Sequence, residues 1–217
     1  MSDEQIIELI NKELREKTLG VTEQYLEIHS PVYINQKINV ERIDRDGNDN
    51  VIIAYIPITE ASFFLAVCID SLTSEIFNIY SEPYNRVYFR ATSELLSDIQ
   101  LKSMSKLIAT DNFNKGDLRG NRKTKYSYIS FLPNPEPDSF EDKLRKLLDY
   151  LEQDKDGIKR LVNEADGYIQ VAMNIHNANG MIGGPAIDRD TIKRMGDLGL
   201  GIDFDLYIEG NTFQENN

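Results

Sequence analysis

The fold class of this chain is most clearly indicated by the run Asp188-Arg-Asp-Thr-Ile-Lys-Arg-Met-Gly-Asp-Leu-Gly-Leu-Gly-Ile-Asp-Phe-Asp-Leu-Tyr207. Its first part predicts a short amphipathic helix that stops at glycines. Its second part alternates as a β-strand does, with Ile202, Phe204 and Leu206 on one side and Asp203, Asp205 and Tyr207 on the other. Such alternation is typical of a sheet that has one packed face and one wet face.

The first eighty or so residues predict one helix followed by an antiparallel meander. Ser2 and Gln5 form a capping box, and apolar residues then recur at helical spacing to about Lys17. Alternating apolar runs separated by turn residues predict four strands, which are Lys37 to Ile43, Val51 to Ile58, Phe63 to Asp70 and Glu75 to Ser81.

The second half mixes helices and strands. Glu82-Pro-Tyr-Asn85 interrupts the strand pattern, so we place a boundary there. Beyond it the patterns predict these elements in order: a strand from Val87 to Ala91, a helix from Ser97-Asp98 to Ile108, a strand from Tyr126 to Leu132, helices from Ser139 to Leu151 and from Lys155 to Glu164, and a strand from Tyr168 to Ile175.

These patterns predict an α+β fold, with antiparallel sheets, helices packed on one face and two adjoining subdomains. We expect an N-terminal helix and meander domain over residues 1–85, an α+β domain over 86–210 and a frayed tail over 211–217.

Composition limits the classes of function. The 217 residues carry a net charge of −12, which opposes binding to phosphate backbones and predicts no nucleic-acid partner. No apolar run approaches the roughly 20 residues of a membrane helix, so we expect no membrane partner. The first residues lack the features of a signal peptide, and Cys68 is the single cysteine. A cytoplasmic location is therefore expected, with Cys68 as a buried and inert thiol.

Several segments of the second half resemble bacterial domain-of-unknown-function family 4279. Val87 to Ala91 is similar to the opening strand of that family, Lys115-Gly-Asp117 to a short turn, and Asp203 to Tyr207 to the closing strand. The helix from Leu101 to Ile108 and the helix pair from Phe140 to Leu151 and from Ile158 to Leu161 also match in order. The resemblance covers roughly residues 86 to 208, and it implies an α+β domain with no assigned catalytic residues.

The inventory of catalytic residues is poor. The histidines are His29 and His176, and an enzyme hypothesis would pair His176 with Asp203 or Asp205 in a shared cleft. One cysteine and two distant histidines do not match a structural zinc site, and the Asp44 to Tyr55 segment lacks the glycine and glutamate of a calcium loop. We therefore predict no catalytic residues, no metal site and no cofactor.

The leading hypothesis is a non-catalytic cytoplasmic binding protein, in its sharper form an immunity-like inhibitor that docks an acidic surface onto a basic toxin or effector. Residues 1–86 carry seven Lys or Arg against fifteen Asp or Glu, so the first half is the more acidic. Charge would steer docking and aromatic residues would supply affinity. The candidate partner-binding residues are Glu23, Tyr25, Glu27, Tyr33, Tyr80, Glu82 and Tyr84.

The alternative is a small-molecule or nucleotide binding or sequestering protein of a phage or defence system. A basic loop and a glycine-rich loop would converge on one pocket, where cations and backbone N–H groups bind an anion. The candidate ligand-binding residues are Lys115, Arg119, Arg122, Lys123 and Lys125 from the first loop and Gly180, Gly183 and Gly184 from the second. If the two loops lie far apart, this pocket loses its basis.

Overall fold

The computed structural model describes residues 1–46, 50–177 and 184–213, and it has the α+β architecture that the patterns predict. The helices are α1 (Asp3–Glu16), α2 (Gly20–Ile28), α3 (Asp98–Ser103), α4 (Phe140–Leu151), a 3₁₀ turn (Glu152–Asp154), α5 (Lys155–Glu164) and α6 (Arg189–Leu198). The strands are β1 (Tyr33–Ile34), β2 (Lys37–Ile38), β3 (Arg42–Asp44), β4 (Val51–Pro57), β5 (Phe63–Asp70), β6 (Glu75–Ser93), β7 (Asp111–Phe113), β8 (Leu118–Arg119), β9 (Arg122–Lys123), β10 (Ser127–Phe131), β11 (Asp166–His176) and β12 (Ile202–Glu209). In the described ranges, no helix is both long enough and apolar enough to cross a membrane.

The long strand β6 joins the two halves of the molecule. Its first part pairs antiparallel with β5 as far as Phe63 and Pro83, and its second part pairs antiparallel with β11 from Tyr84 onward. The last residues of β6 also pair with β10. The sequence patterns predicted that Glu82 to Asn85 interrupts the strand. In the structure β6 continues through this segment without a break. The segment marks the place where β6 changes partners. Proline has no N–H to donate to a strand ladder, so Pro83 is better tolerated at such a junction than in the middle of a paired strand.

Two hydrophobic cores lie along this shared sheet. The N-terminal core packs α1 and α2 against the meander, with Ile6, Ile10, Ile56 and Leu65 almost fully buried. The C-terminal core packs α4, α5 and α6 against the second half of the sheet, and Leu147 is among its fully buried side chains. One continuous strand, β6, thus runs past both cores.

The closing strand differs from its predicted form in two ways. It pairs parallel with β11, through a crossover over α6, whereas the other pairs in this sheet are antiparallel. Ile202 and Phe204 are half-buried, but Leu206 is 56% exposed. Phe204 packs near Phe140 of α4, whereas the C-terminal core does not include Leu206. The apolar side of β12 is thus covered along its first half alone.

Helix α3 is shorter than predicted. It begins at the Ser97 cap as expected but ends at Ser103 rather than near Ile108. The carboxylate of Asp154 accepts hydrogen bonds from the Lys106 backbone N–H at 2.6 Å and from the Ser105 hydroxyl at 2.8 Å. These bonds hold the backbone in a non-helical path, a tertiary effect that local periodicity does not report.

Candidate functional site

The basic segment between β7 and β10 forms a tight double turn. Gly116, at the centre of the Lys-Gly-Asp turn, has φ +91°, a conformation that glycine adopts without strain. Its backbone N–H donates to Thr124, which closes the segment on itself. Strands β8 and β9 then form a two-residue hairpin in which Gly120 has φ +59°. The sequence thus places its basic residues on a compact hairpin rather than on a loose loop.

This hairpin borders a groove on the face of the sheet opposite the C-terminal helices. On β6, the alternation that buries Val87, Phe89 and Ala91 places Arg90 on the other face. The groove is open to solvent and has a volume of about 410 Å³. Its lining combines cations with aromatic rings, and the residues are Arg90, Phe113, Arg119, Arg122, Lys123, Thr124, Lys125, Tyr126 and Tyr128.

Arg90 is the innermost cation of this groove. Its guanidinium carbon lies 5.5 Å from the ring centre of Tyr128 and 5.3 Å from that of Tyr168, within the range of cation–π attraction. Burial opposes its charge, but the Tyr168 and Tyr126 hydroxyls outweigh burial, so the pKa of Arg90 lies above its ordinary value. The buried Nε atom has no hydrogen-bond partner within the described ranges. The floor of the groove therefore carries a permanent positive charge that can attract an anionic ligand.

The cations on the hairpin differ in their availability. Arg119 forms an ion pair with Asp111 at 2.8 Å and lies 4.4 Å from the Phe113 ring centre, so its charge is already compensated. Arg122, Lys123 and Lys125 are exposed, and none lies within 4.0 Å of a carboxylate in the part of the chain that the structure describes. Together with Arg90 they form a local positive region on a chain of net charge −12.

The structure brings together four of the five basic candidates. Lys115 is the exception, because its Nζ donates to the Glu94 carbonyl at 3.0 Å outside the groove. Sequence reasoning missed Arg90, Phe113, Tyr126 and Tyr128 as groove residues, because they lie on β6, β7 and β10 or directly before β10. The available signal was the strand alternation, which already placed Arg90 opposite Val87 and Phe89.

The predicted pocket between two loops is not formed by the described residues. The groove lies near the β6 residues Thr92 and Ser93, where β11 begins, whereas the glycine-rich loop follows the other end of β11, at His176. Gly184 is exposed and does not line the groove, and Gly180 and Gly183 lie outside the described residues. Near Gly184, the Ala186 N–H donates to Glu141 at the start of α4, on the helix-covered face. The basic hairpin instead forms its site with the sheet.

The predicted partner-binding residues, which are glutamates and tyrosines, differ in how far they are buried. Glu23, Glu27 and Tyr33 are exposed, and Tyr80 and Tyr84 are half-buried. Tyr25 is buried beneath α2, with its hydroxyl accepting a hydrogen bond from the Ser81 backbone N–H at 3.1 Å. Glu82 is also buried, because outward-facing residues of β6 are covered where the sheet meets the segment before α4. Tyr25 and Glu82 are therefore not surface anchors in this structure.

Glu82 belongs to a buried polar junction between the two halves. Burial, reinforced by Glu141 and Asp138, raises the pKa of Glu82 to about 8. Asn85 donates to Glu82 at 3.3 Å and to the Asp138 carbonyl at 3.2 Å. Asp138 also pairs with Arg42 at 3.0 Å, which links the N-terminal sheet to the start of α4. These contacts indicate a structural junction, since the groups bind one another.

The two histidines form a buried pair, although 147 positions separate them. The Nε2 atoms of His29 and His176 lie 2.7 Å apart, and the His176 ring stacks on Phe63. Burial lowers the pKa of both rings, and for His176 the charge of His29 lowers it further. Opposite His176, β12 has Glu209, so Asp203 and Asp205 lie several residues away along the strand. The enzyme hypothesis that pairs His176 with these aspartates therefore has no shared cleft.

Other parts of the surface offer weaker candidates. A depression of about 860 Å³ lies along α1, where side chains of both signs, such as Glu8 and Lys12, offset one another. Among the described residues, no three His, Cys, Asp or Glu side chains are grouped as a metal site requires. Cys68 is buried, and burial raises the pKa of its thiol. The groove at Arg90 differs from these places because all of its charged lining residues are cationic, and it is therefore the candidate site that we pursue.

Comparison with known proteins identifies the family of this segment. The model of a domain of unknown function, DUF4279, matches residues 82–209. The chain belongs to this family. The DUF4279 segment begins where β6 changes partners and ends with β12, and it contains every groove residue. No curated protein and no solved structure matches the chain.

Proposed function

We propose that this chain is a binding protein that holds a small anionic ligand with a planar group, of the mononucleotide class, in the Arg90 groove. The main support for the proposal is the arrangement of cations and aromatic rings at the groove. A guanidinium flanked by two tyrosine rings lies at the floor of the groove, beside a hairpin with three exposed cations that have no carboxylate within 4.0 Å in the described ranges. The proposal is the nucleotide alternative of the sequence analysis, with the sheet replacing the glycine-rich loop.

The chemistry of the lining suits both parts of such a ligand. Arginine and lysine bind phosphate through charge-assisted hydrogen bonds, and Arg90, Arg122, Lys123 and Lys125 all line the groove. Phe113 and Tyr128 stack with ring centres 4.8 Å apart, and Tyr126 lies 5.8 Å from Phe113. Arg119 and Arg90 cover the remaining faces of Phe113 and Tyr128, so the exposed ring of Tyr126 is the one available to a nucleobase, a contact of about 1–3 kcal/mol. The volume of about 410 Å³ falls within the range typical of small-molecule sites.

Calorimetric titration with AMP and UMP tests the proposal. We expect saturable binding by the wild-type chain, weaker binding of inorganic phosphate and weaker binding of adenosine, because each lacks one half of the recognised chemistry. Absence of binding by both nucleotides at millimolar concentration would exclude the mononucleotide class.

Charge variants locate the site. The double variant Arg122→Gln/Lys123→Gln should weaken AMP binding at least tenfold, because two unpaired cations leave the hairpin. The double variant Lys155→Gln/Lys159→Gln removes the same charge from exposed positions of α5 and should leave affinity within about twofold. An equal loss in both variants would mean that net charge, rather than the groove, governs binding.

A protein-docking role, in its sharper form that of an immunity-like inhibitor, has separate support. Glu23 and Glu27 project from α2, and Tyr33 is 52% exposed shortly after it. These residues offer an acidic surface with one aromatic anchor to a basic toxin or effector. We expect that Glu23→Lys/Glu27→Lys abolishes co-purification of such a partner from the native host, while Arg122→Gln/Lys123→Gln does not. The reverse pattern would contradict this second proposal.

A further inference from the structure

Strand β12 leaves one edge of the eight-stranded sheet unpaired within the described ranges. Its single partner there is β11, in a continuous parallel register from Ile169 and Ile202 to His176 and Glu209. Edge strands present N–H and C=O groups to other chains, and proteins commonly protect them with charged side chains, especially lysine, or with proline or a bulge. The charged side chains of β12 are the carboxylates of Asp203, Asp205 and Glu209, which repel other acidic strands but not basic ones. Residues Ile202–Glu209 contain neither lysine nor proline, and the register has no shift.

The hydrogen-bond pattern tells which residues face outward. The carbonyls of Gly201 and Glu209 accept from Ile169 and Asn177, so the odd-numbered residues direct their backbone groups toward β11. The even-numbered residues therefore direct theirs away from the sheet. Leu206 and Ile208 are among them, and their side chains are 56% and 58% exposed.

The two faces of the edge have different chemistry. Asp203, Asp205 and Tyr207 are exposed on the face that also carries Arg90, and Leu206 and Ile208 are exposed on the face of the helices. A strand added at this edge places its side chains alternately beside these two faces. The complementary strand alternates basic and apolar residues.

A second copy of β12 does not meet this requirement. Twofold antiparallel pairing keeps each face on its own side, so acidic-face residues oppose acidic-face residues. Centring the pair on Phe204 places Asp203 opposite Asp205, and centring it on Asp205 places two copies of that residue opposite each other. Centring it on Leu206 places Asp203 opposite Glu209. Like charges directly opposite destabilise a strand pair.

We propose that β12 binds an extended segment of another protein in which basic and apolar residues alternate. Main-chain hydrogen bonds from the even-numbered residues supply affinity, and the carboxylates of Asp203 and Asp205 select for lysine or arginine. The site is separate from the Arg90 groove, so its test does not depend on nucleotide binding.

A synthetic probe tests this edge directly. The probe is an eight-residue peptide of alternating lysine and valine, blocked at both ends and carrying a fluorophore, and the control replaces each lysine with glutamate. Fluorescence anisotropy should show at least tenfold tighter binding of the lysine peptide. The double variant Asp203→Lys/Asp205→Lys should reverse the preference. Equal affinity for the two peptides, or no binding of either, would overturn the proposal.

A backbone variant separates strand addition from simple charge attraction. Leu206→Pro removes an outward N–H but spares the hydrogen bonds to β11, and Leu206→Ala removes the side chain but keeps that N–H. We expect at least a tenfold loss of lysine-peptide binding for the proline variant and a smaller loss for the alanine variant. Thermal melts confirm that both variants are folded. Unchanged binding by a folded Leu206→Pro variant would contradict strand addition.

Discussion

At the scale of single residues, the main feature is that ionisable side chains are buried between the two halves. Glu82 has its pKa raised to about 8 by burial and by the nearby carboxylates of Glu141 and Asp138. A carboxyl group whose pKa is raised in the folded state contributes fully to stability below its ordinary pKa, and this contribution is lost as the pH rises toward 8. Glu82 is therefore a position where charge is costly at neutral pH.

The variant Glu82→Gln should stabilise the protein at pH 7. The amide keeps an acceptor for Asn85 and removes the cost of holding the carboxyl neutral, a gain of about 2–3 kcal/mol in unfolding free energy at pH 7. The gain should shrink toward zero near pH 4.5. Urea denaturation at several pH values measures it, and a variant that is less stable than wild type at pH 7 would contradict the assigned burial.

The histidine pair predicts the opposite pH dependence. Burial lowers the pKa of His29 and His176, so the unfolded chain takes up protons below about pH 6.5 that the folded chain does not. Stability should fall between pH 7 and pH 5, by up to about 1.4 kcal/mol per pH unit for each ring that stays neutral. His29→Gln should reduce this slope in urea titrations. An unchanged slope would mean that the pair is not coupled to folding.

Sequence reasoning was least successful for such residues. Glu82 and Tyr25 have the composition of surface residues, and burial by a segment more than fifty positions away leaves no local pattern. Arg90 was more predictable, since period-2 alternation determines the face of a strand residue. The pairing of His29 with His176 spans 147 positions, which no local pattern encodes.

At the scale of secondary-structure elements, caps and periodicity predicted α1, α4 and α5 to within a few residues. The ends that tertiary contacts determine were predicted poorly. Helix α3 ends earlier than predicted because the residues after it bind the Asp154 carboxylate. Strand β12 is parallel to β11 because the chain crosses over through α6 before it returns to the sheet. Helix α2 was not anticipated, since its buried residues Thr22 and Tyr25 are polar or amphipathic.

Asp154 provides a test at this scale. Its carboxylate caps α5 through the Gly157 N–H at 3.2 Å and also binds Ser105 and Lys106. Asp154→Ala should lower the unfolding free energy by about 2–3 kcal/mol, because a cap and two further hydrogen bonds are lost. Asp156→Ala, at an exposed position of the same turn, should cost less than about 0.5 kcal/mol. Thermal or urea unfolding compares them, and equal effects would contradict this role.

At the scale of the whole molecule, the sequence predicted two subdomains but not the strand that they share. Strand β6 contributes to both halves of the eight-stranded sheet. The Arg42–Asp138 ion pair joins the N-terminal half of that sheet to the segment before α4, and the Asn211 side chain donates to the Ile28 carbonyl of α2. Because of these connections, we expect that neither half unfolds while the other stays folded.

We therefore predict a single cooperative unfolding transition. Ile56→Ala in the N-terminal core and Leu147→Ala in the C-terminal core should each shift the whole transition by about 2–5 kcal/mol. Far-UV circular dichroism and tyrosine fluorescence in urea measure it with two probes. Two separate transitions, each moved by one variant alone, would show that the halves unfold independently.

Binding of an anionic ligand with a planar group in the Arg90 groove can be observed residue by residue. The most direct measurement is a ¹H–¹⁵N correlation NMR titration of the intact chain with AMP. We expect saturable shifts concentrated in the amides of Arg122, Lys123, Tyr126 and Tyr128, and in the side-chain Nε–H of Arg90. Saturable shifts confined to another surface, or no shifts at millimolar AMP, would contradict it.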